Sequence, residues 1–155
     1  MNRFDRRTFL AGAGAIALGT PAAALAQAQP RLVMWKDPSC GCCTHWAERV
    51  QAAFGEPVRI VPVADMAALK RARGIPQDLW SCHTASIHGL IVEGHVPPAD
   101  IRRLLATRSR AFSGLAVPGM PAGAPGMDIG HTRRDPYQVI AFGPAGRRAV
   151  YARHG

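Results

Sequence analysis

Apolar and polar positions along the chain switch between two periods, and the switch points mark its elements. Leu32-Val33-Met34-Trp35-Lys36 is a short apolar run ending at Asp37-Pro38-Ser39, which predicts a buried first strand. From the cysteines onward the period becomes helical. Cys43, Trp46, Ala47, Val50 and Phe54 share one stripe, Glu48, Arg49 and Gln51 lie outside it, and Gly55 ends the pattern. Val58 to Val63 is β-rich and predicts a second strand. Asp65 can cap a short helix through Met66, Leu69 and Arg73, stopped by Gly74 and Pro76. Ile87 to Glu93 reads as a third strand, interrupted by Gly89. Pro98 suits the first turn of a helix whose buried stripe is Ile101, Leu104 and Leu105. Residues 114–136 read as one long Gly/Pro loop, and loops of that length are uncommon unless functional. Tyr137 to Phe142 and Arg148 to Tyr151 flank Gly143-Pro144-Ala145-Gly146 and predict a C-terminal hairpin.

The resulting order is β-α-β-α-β-α-β-β, with the cysteines where strand one meets helix one. That arrangement indicates an α/β sandwich of thioredoxin-like type, with a long Gly/Pro/Met loop and a C-terminal β-hairpin. The pattern before residue 30 is different. Arg3, Arg6 and Arg7 give a positive start, and Phe9 to Leu25 is apolar but too weak and short for a spanning helix. Ala24-Leu25-Ala26 and Ala26-Gln27-Ala28 both fit a small-x-small cleavage site. Residues 1–28 are therefore expected to be a signal peptide, with residues 29–155 forming the domain. Arg6-Arg7-Thr8-Phe9-Leu10 resembles a twin-arginine signal, used to export folded proteins; an ordinary secretory signal with a chance Arg pair is the alternative. No second long apolar run follows, so no membrane span is expected in the mature chain.

Charge changes the picture little. Residues 1–26 carry Arg3, Arg6, Arg7 and Asp5, so their removal lowers the formal net charge from +9 to +7. The remaining basic residues are scattered, as at Arg102-Arg103, Arg133-Arg134 and Arg147-Arg148, without interleaved aromatics. A solvated basic surface fits this better than a nucleic-acid footprint, and export removes that partner. About 130 residues remain, enough for one core and one domain.

The chemistry lies in the cysteines and histidines. The chain has four cysteines, Cys40, Cys42, Cys43 and Cys82. In an exported protein an even count ordinarily suggests structural disulfides. Here Cys42 and Cys43 are adjacent, and Cys40, Cys42 and Cys43 crowd into one turn. That suits gathering sulfurs around a point better than stapling distant segments. Cys40 and Cys43 also have the Cys-x-x-Cys spacing of thiol–disulfide exchange, where a helix N-terminus stabilises thiolate. Cys42 separates the two uses: a third sulfur complicates clean exchange but adds a ligand for a soft ion. Cys82-His83 supplies a second cluster, and His95 lies at a Gly-flanked turn. His88 would sit mid-strand, where packing or exposure is the simpler role. His45, His131 and His154 are expected to be exposed. Pro118-Gly119-Met120-Pro121 and Pro125-Gly126-Met127 form a near repeat whose thioethers could bind Cu(I) or merely anchor the loop.

Taken together, Cys40-Gly41-Cys42-Cys43 with Trp46, Ser81-Cys82-His83-Thr84-Ala85, Glu93-Gly94-His95-Val96-Pro97 and Gly114-Leu115-Ala116-Val117-Pro118-Gly119-Met120-Pro121 resemble the CopG-type copper-resistance proteins. This family was long catalogued as a domain of unknown function. The resemblance runs in order along nearly all of the expected mature chain. It implies a thioredoxin-like fold in the periplasm, with copper as the bound metal and Cys40, Cys42, Cys43, Cys82, His83 and His95 as its ligands. Family members are proposed to shuttle copper between its two oxidation states.

Two functions of different class follow. The first is a periplasmic protein for copper resistance or homeostasis, with copper ions and a periplasmic copper-handling or redox protein as partners. The second is a thiol–disulfide oxidoreductase using Cys40 and Cys43. A structural zinc module is weaker, because zinc sites usually show paired Cys-x-x-Cys or Cys-and-His spacings. Six ligands exceed the roughly two to four that one soft copper ion takes, so more than one ion per chain is expected, bridged by sulfur. The export reading is tested by Arg6→Lys with Arg7→Lys. If the twin-arginine route is used, this variant accumulates in the cytoplasm at precursor mass, whereas normal export points to the general secretory route.

Overall fold

The computed structural model describes residues 31–107, 111–130 and 132–155. The expected signal peptide and His131 lie outside the described residues. Seven strands form one sheet in the order β2-β1-β3-β4-β5-β6-β7: β1 (Leu32–Lys36), β2 (Arg59–Pro62), β3 (His83–Ile87), β4 (Leu90–Glu93), β5 (Gly114–Ala116), β6 (Tyr137–Phe142) and β7 (Arg148–His154). Three helices accompany them: α1 (Gly41–Phe54), α2 (Met66–Ala72) and α3 (Pro98–Ala106). β1 and β2 pair parallel through α1, β3 lies antiparallel to β1, and β4 antiparallel to β3. This is the thioredoxin-like core, and β5, β6 and β7 extend it on one side.

The main core lies between the sheet and helices α1 and α3. Leu32, Met34, Ala85, Ile87, Leu90 and Val92 meet Cys43, Trp46, Val50, Ile101 and Leu104 there. The period-two alternation of the strands sends Thr84 and Glu93 to the opposite face. That face holds α2, from which Arg73 stacks 3.8 Å above the Trp35 ring. A smaller cluster of Ile75, Leu79, Ala116 and Phe142 continues it. Local signals act as expected at the helix ends. Asp65 caps α2 by accepting from Ala68 N at 2.8 Å, and Gly55 closes α1 in the left-handed region at φ 67°. Among the described residues no helix is long and apolar enough to cross a membrane.

Four expectations need correction. Ile87 to Glu93 is not one strand but the turn and second arm of a hairpin. His88 and Gly89 form its two-residue turn, with φ 49° and 86°, as a tight hairpin turn demands of both positions. His88 is accordingly not mid-strand; it pairs with Glu56 at 3.2 Å and stacks on Phe54. The Gly/Pro loop begins with strand β5, which pairs parallel to β4 and antiparallel to β6. His154 is no exposed tail residue. It ends β7, half-buried, with Nε2 2.7 Å from Asp100 Oδ2 and its ring stacked on Tyr137.

Phe54 is also only half-buried, at the frayed end of its stripe. Ile101, fully buried, should lose about 2–5 kcal/mol on truncation to alanine. In denaturant titrations Phe54→Ala should cost less than the roughly 3–5 kcal/mol of a fully buried phenylalanine.

Candidate metal centre

The site is assembled where β1 runs into α1. Asp37 Oδ1 accepts from Ser39 N at 2.8 Å, and Cys40 N donates to Asp37 O at 3.1 Å, turning the chain sharply. Lys36, almost fully buried, braces the turn by donating from Nζ to the carbonyls of Asp37 (2.9 Å) and Pro38 (3.2 Å). Cys40 becomes the N-cap residue of α1 with no side-chain cap, and the first turn has no acidic residue. Unpaired N–H groups and the helix dipole therefore favour negative charge where the sulfurs gather.

Cys40 and Cys43 are joined by a disulfide, leaving Cys42 and Cys82 as free thiols. This bond closes within one turn and staples no distant segments. It does draw on the Cys-x-x-Cys pair that the spacing singles out for exchange chemistry. Cys42 Sγ lies 3.5 Å from Cys40 Sγ.

Cys82 brings the second half of the site. The chain bends at Cys82 before entering β3, so Cys82 and His83 do not diverge as neighbours in a regular strand would. Cys82 Sγ is 3.3 Å from His83 Nδ1 and 3.0 Å from His95 Nε2. His83 is fully buried between Trp46, with ring centroids 4.4 Å apart, and His95, at 5.0 Å. Its Nε2 has no hydrogen-bond partner among the described residues. Trp46 in turn donates from Nε1 to Val96 O at 2.9 Å, fixing α1 to the His95 segment.

The long loop fixes His95. Its Nδ1 lies 2.7 Å from Pro125 O, a contact that makes Nδ1 the donor and leaves the Nε2 lone pair facing Cys82. Gly126 permits this approach: at φ 84°, a Cβ there would lie 2.8 Å from Trp46 N and 3.0 Å from Cys42 O. Arg49 on α1 ties the loop down through Asp128 at 2.8 Å. Gly94 is equally constrained, at φ 69° with a Cβ position 2.5 Å from Ser81 Oγ and 2.6 Å from Val117 O.

Burial sets the charge states. His83 is held neutral, its pKa pushed well below the ordinary value by burial and by nearby His95, Lys70 and Lys36. Burial lowers that of His95 too, against the pull of the Pro125 hydrogen bond. Both rings therefore offer lone pairs. Burial, with Cys42 close by, pushes the Cys82 thiol up to about 12. A protein without a cation here pays for a thiolate; a bound cation would supply the missing counter-charge.

All six candidate ligands converge. Cys40, Cys42, Cys43 and Cys82 place their sulfurs within 4.8 Å of one another, and Cys43, Cys82, His83 and His95 form a second such group. The groups overlap in Cys43 and Cys82. His45 is exposed, as expected, and Met120 is 56% exposed on its turn. The Pro125 carbonyl, Lys70 and Glu93 are supporting groups that sequence reasoning missed. Lys70 lies on the inward face of α2, four residues after Met66, but a lysine gives no sign of burial in the sequence, and a backbone carbonyl leaves no side-chain signal. Glu93 was visible only as a neighbour of His95.

Comparison with known proteins places the chain among relatives. A family model described as "Protein of unknown function, DUF411" matches residues 79–127. Two solved structures, both named copper resistance protein copG, are similar over most of the chain. Form 2 is 44% identical, with a TM-score of 0.72, covering 80% of this chain and 97% of its own. Form 1 is 42% identical, with a TM-score of 0.73, covering 81% and 98%. No curated protein matches the chain.

The raised Cys82 pKa should show in its reactivity. In metal-free protein at about pH 8, iodoacetamide should modify Cys82 far more slowly than it modifies free cysteine, because the thiolate is the nucleophile. The Cys82 rate should still be climbing at about pH 10, since its thiolate fraction grows until the raised pKa is reached. Peptide mass mapping over time reads both.

Proposed function

Because the chain belongs to the CopG-type copper-resistance family, we propose that it is a periplasmic copper-binding protein for copper resistance or homeostasis, holding Cu(I) or Cu(II) in a cluster of more than one ion. The observation that carries this reading is the overlap of two donor groups at Cys43 and Cys82. Thiolate sulfur bridges metal ions, whereas an imidazole nitrogen has one lone pair to give. Cys43 and Cys82 are thus suited to bridging, and His83 and His95 to terminal ligation. Cys40 and Cys42 complete the sulfur-rich side.

The donor set fits copper. Thiolates favour Cu(I), neutral imidazoles accept either oxidation state, and the buried His83 ring presents Nδ1 to Cys82 Sγ at 3.3 Å. His95 has the outer-shell hydrogen bond typical of a ligating histidine. Bound copper would supply one-electron Cu(I)/Cu(II) chemistry, with the electron exchanged with a periplasmic redox partner protein. The protein's own contribution is a fixed, mostly dry set of donors. In the disulfide form Cys42, Cys82, His83 and His95 remain available, and reduction of Cys40–Cys43 restores two more sulfurs.

The disulfide itself favours a second reading, thiol–disulfide exchange through Cys40 and Cys43. Insulin reduction that survives Cys42→Ser in metal-free protein would support exchange as the activity. Copper retained through purification from the periplasm would support the metal site.

Anaerobic Cu(I) titration of fully reduced protein should reach equivalence above one ion per chain. Cys42→Ser should lower that endpoint, and leaving Cys40–Cys43 oxidised should lower it further. An endpoint of one in all three samples would replace the cluster with a mononuclear site.

A further inference from the structure

A buried ion pair lies across the sheet from the metal centre. Glu93 is fully buried and the Lys70 side chain only 4% exposed. Glu93 Oε1 accepts from Lys70 Nζ in a close contact and from Ser81 N at 2.7 Å. Its Oε2 accepts from Thr84 Oγ1 at 2.6 Å, and that hydroxyl accepts from Lys70 Nζ at 3.1 Å. Both carboxylate oxygens are thus engaged by the protein's own donors.

Stability alone does not account for such a pair, since well-packed apolar residues commonly replace a buried ion pair without loss. Its position does account for it. Ser81 precedes Cys82 and Thr84 follows His83, so one carboxylate grips the chain on both sides of the two candidate ligands. Glu93 is itself two residues from His95, directly opposite Thr84 in the β3–β4 register. Gly94 N donates to His83 O at 2.9 Å, closing the same frame. The bend at Cys82 is what turns its sulfur and the His83 ring toward one point, and the Ser81 N–H held by Glu93 anchors that bend.

We propose that Glu93, with Lys70 as its counter-ion, is a positioning residue for the metal centre, holding Cys82 and His83 in convergence from the opposite face of the sheet. The proposal rests on the copper reading for its functional meaning, but its geometric content can be tested without metal.

Two double variants separate positioning from simple packing. E93Q with K70M keeps an acceptor toward Ser81 N and removes the charge pair. E93L with K70M removes the acceptor as well. In metal-free protein, the imidazole nitrogen shifts of His83 and His95 should stay near wild type in the first and move in the second. Cu(I) affinity, read by competition with bicinchoninate, should follow: near wild type in the first and about tenfold or more weaker in the second. If E93L with K70M does not fold, T84V, which frees one carboxylate oxygen, should shift the His83 signals and weaken affinity in the same direction. Unmoved imidazole shifts with unchanged affinity in a folded E93L/K70M or T84V protein would overturn the proposal. Imidazole shifts that move as expected in a chain whose wild type takes up no copper would instead sink the copper reading and leave the positioning role standing.

Discussion

The candidate site centres on one crowded sulfur, and the fold around it is what holds that sulfur in place. Cys82 Sγ sits 3.3 Å and 3.0 Å from two buried imidazoles and belongs to both donor groups. Neither a thiol nor two imidazoles gain much from such burial by themselves, since each loses water and only part of that loss is returned by weak S···N contacts. What keeps them together is the fold around them. Four chain segments meet there: the start of α1, the bend before β3, the turn after β4, and the loop around Pro125. Each is fixed by a bond outside the donor set, through the Asp37 turn, Glu93, Trp46 Nε1 and the Arg49–Asp128 pair respectively. Donors held this way need little reorganisation to meet a cation, so most of the ordering cost is met during folding.

The fold explains why a thioredoxin-like scaffold lends itself to this. Its first helix begins beside the sheet with uncapped N–H groups, a setting that stabilises thiolate whether the next event is exchange or metal binding. Exchange needs an attacking sulfur open to a partner protein. In a Cys-x-x-Cys pair at a helix start the first cysteine is the attacking one; here Cys40 is half-buried, Cys43 is fully buried, and the loop containing Gly126 packs onto the turn carrying Cys42. An ion needs far less room.

Much of this was legible in the sequence because the governing signals are local. The apolar stripe of α1, the Asp65 cap and the cysteine spacing each reside within a few residues. The candidate ligands were readable because cysteine and histidine announce their chemistry. The hairpin was misread because His88-Gly89 lacks the usual Asn-Gly signature, and a left-handed histidine has no sequence mark. Strand β5 was hidden in a Gly/Pro-rich stretch because its three residues gain their identity from β4 and β6, not from period. Lys70 carries no mark of burial in the sequence, since a lysine on a short helix is ordinarily solvated. Only the register that places Thr84 opposite Glu93 shows that a cation belongs between them.

The loop shows most directly how structure converts composition into function. Its length alone hinted at a role, and its methionines suggested ligation. Yet Met120 is largely in solvent, and the loop's clearest contribution is a carbonyl. By accepting from His95 Nδ1, Pro125 O selects the tautomer whose other nitrogen faces Cys82. Without it the ring could present an N–H to the sulfur instead, giving a thiol–imidazole hydrogen bond in place of a donor lone pair. Proline has no N–H of its own to satisfy in this tight space, and glycine at the next position lets the backbone reach the helix. A single backbone oxygen thus decides whether one of the site's two imidazoles is available as a ligand, and the Pro-Gly pair is the local means of delivering it.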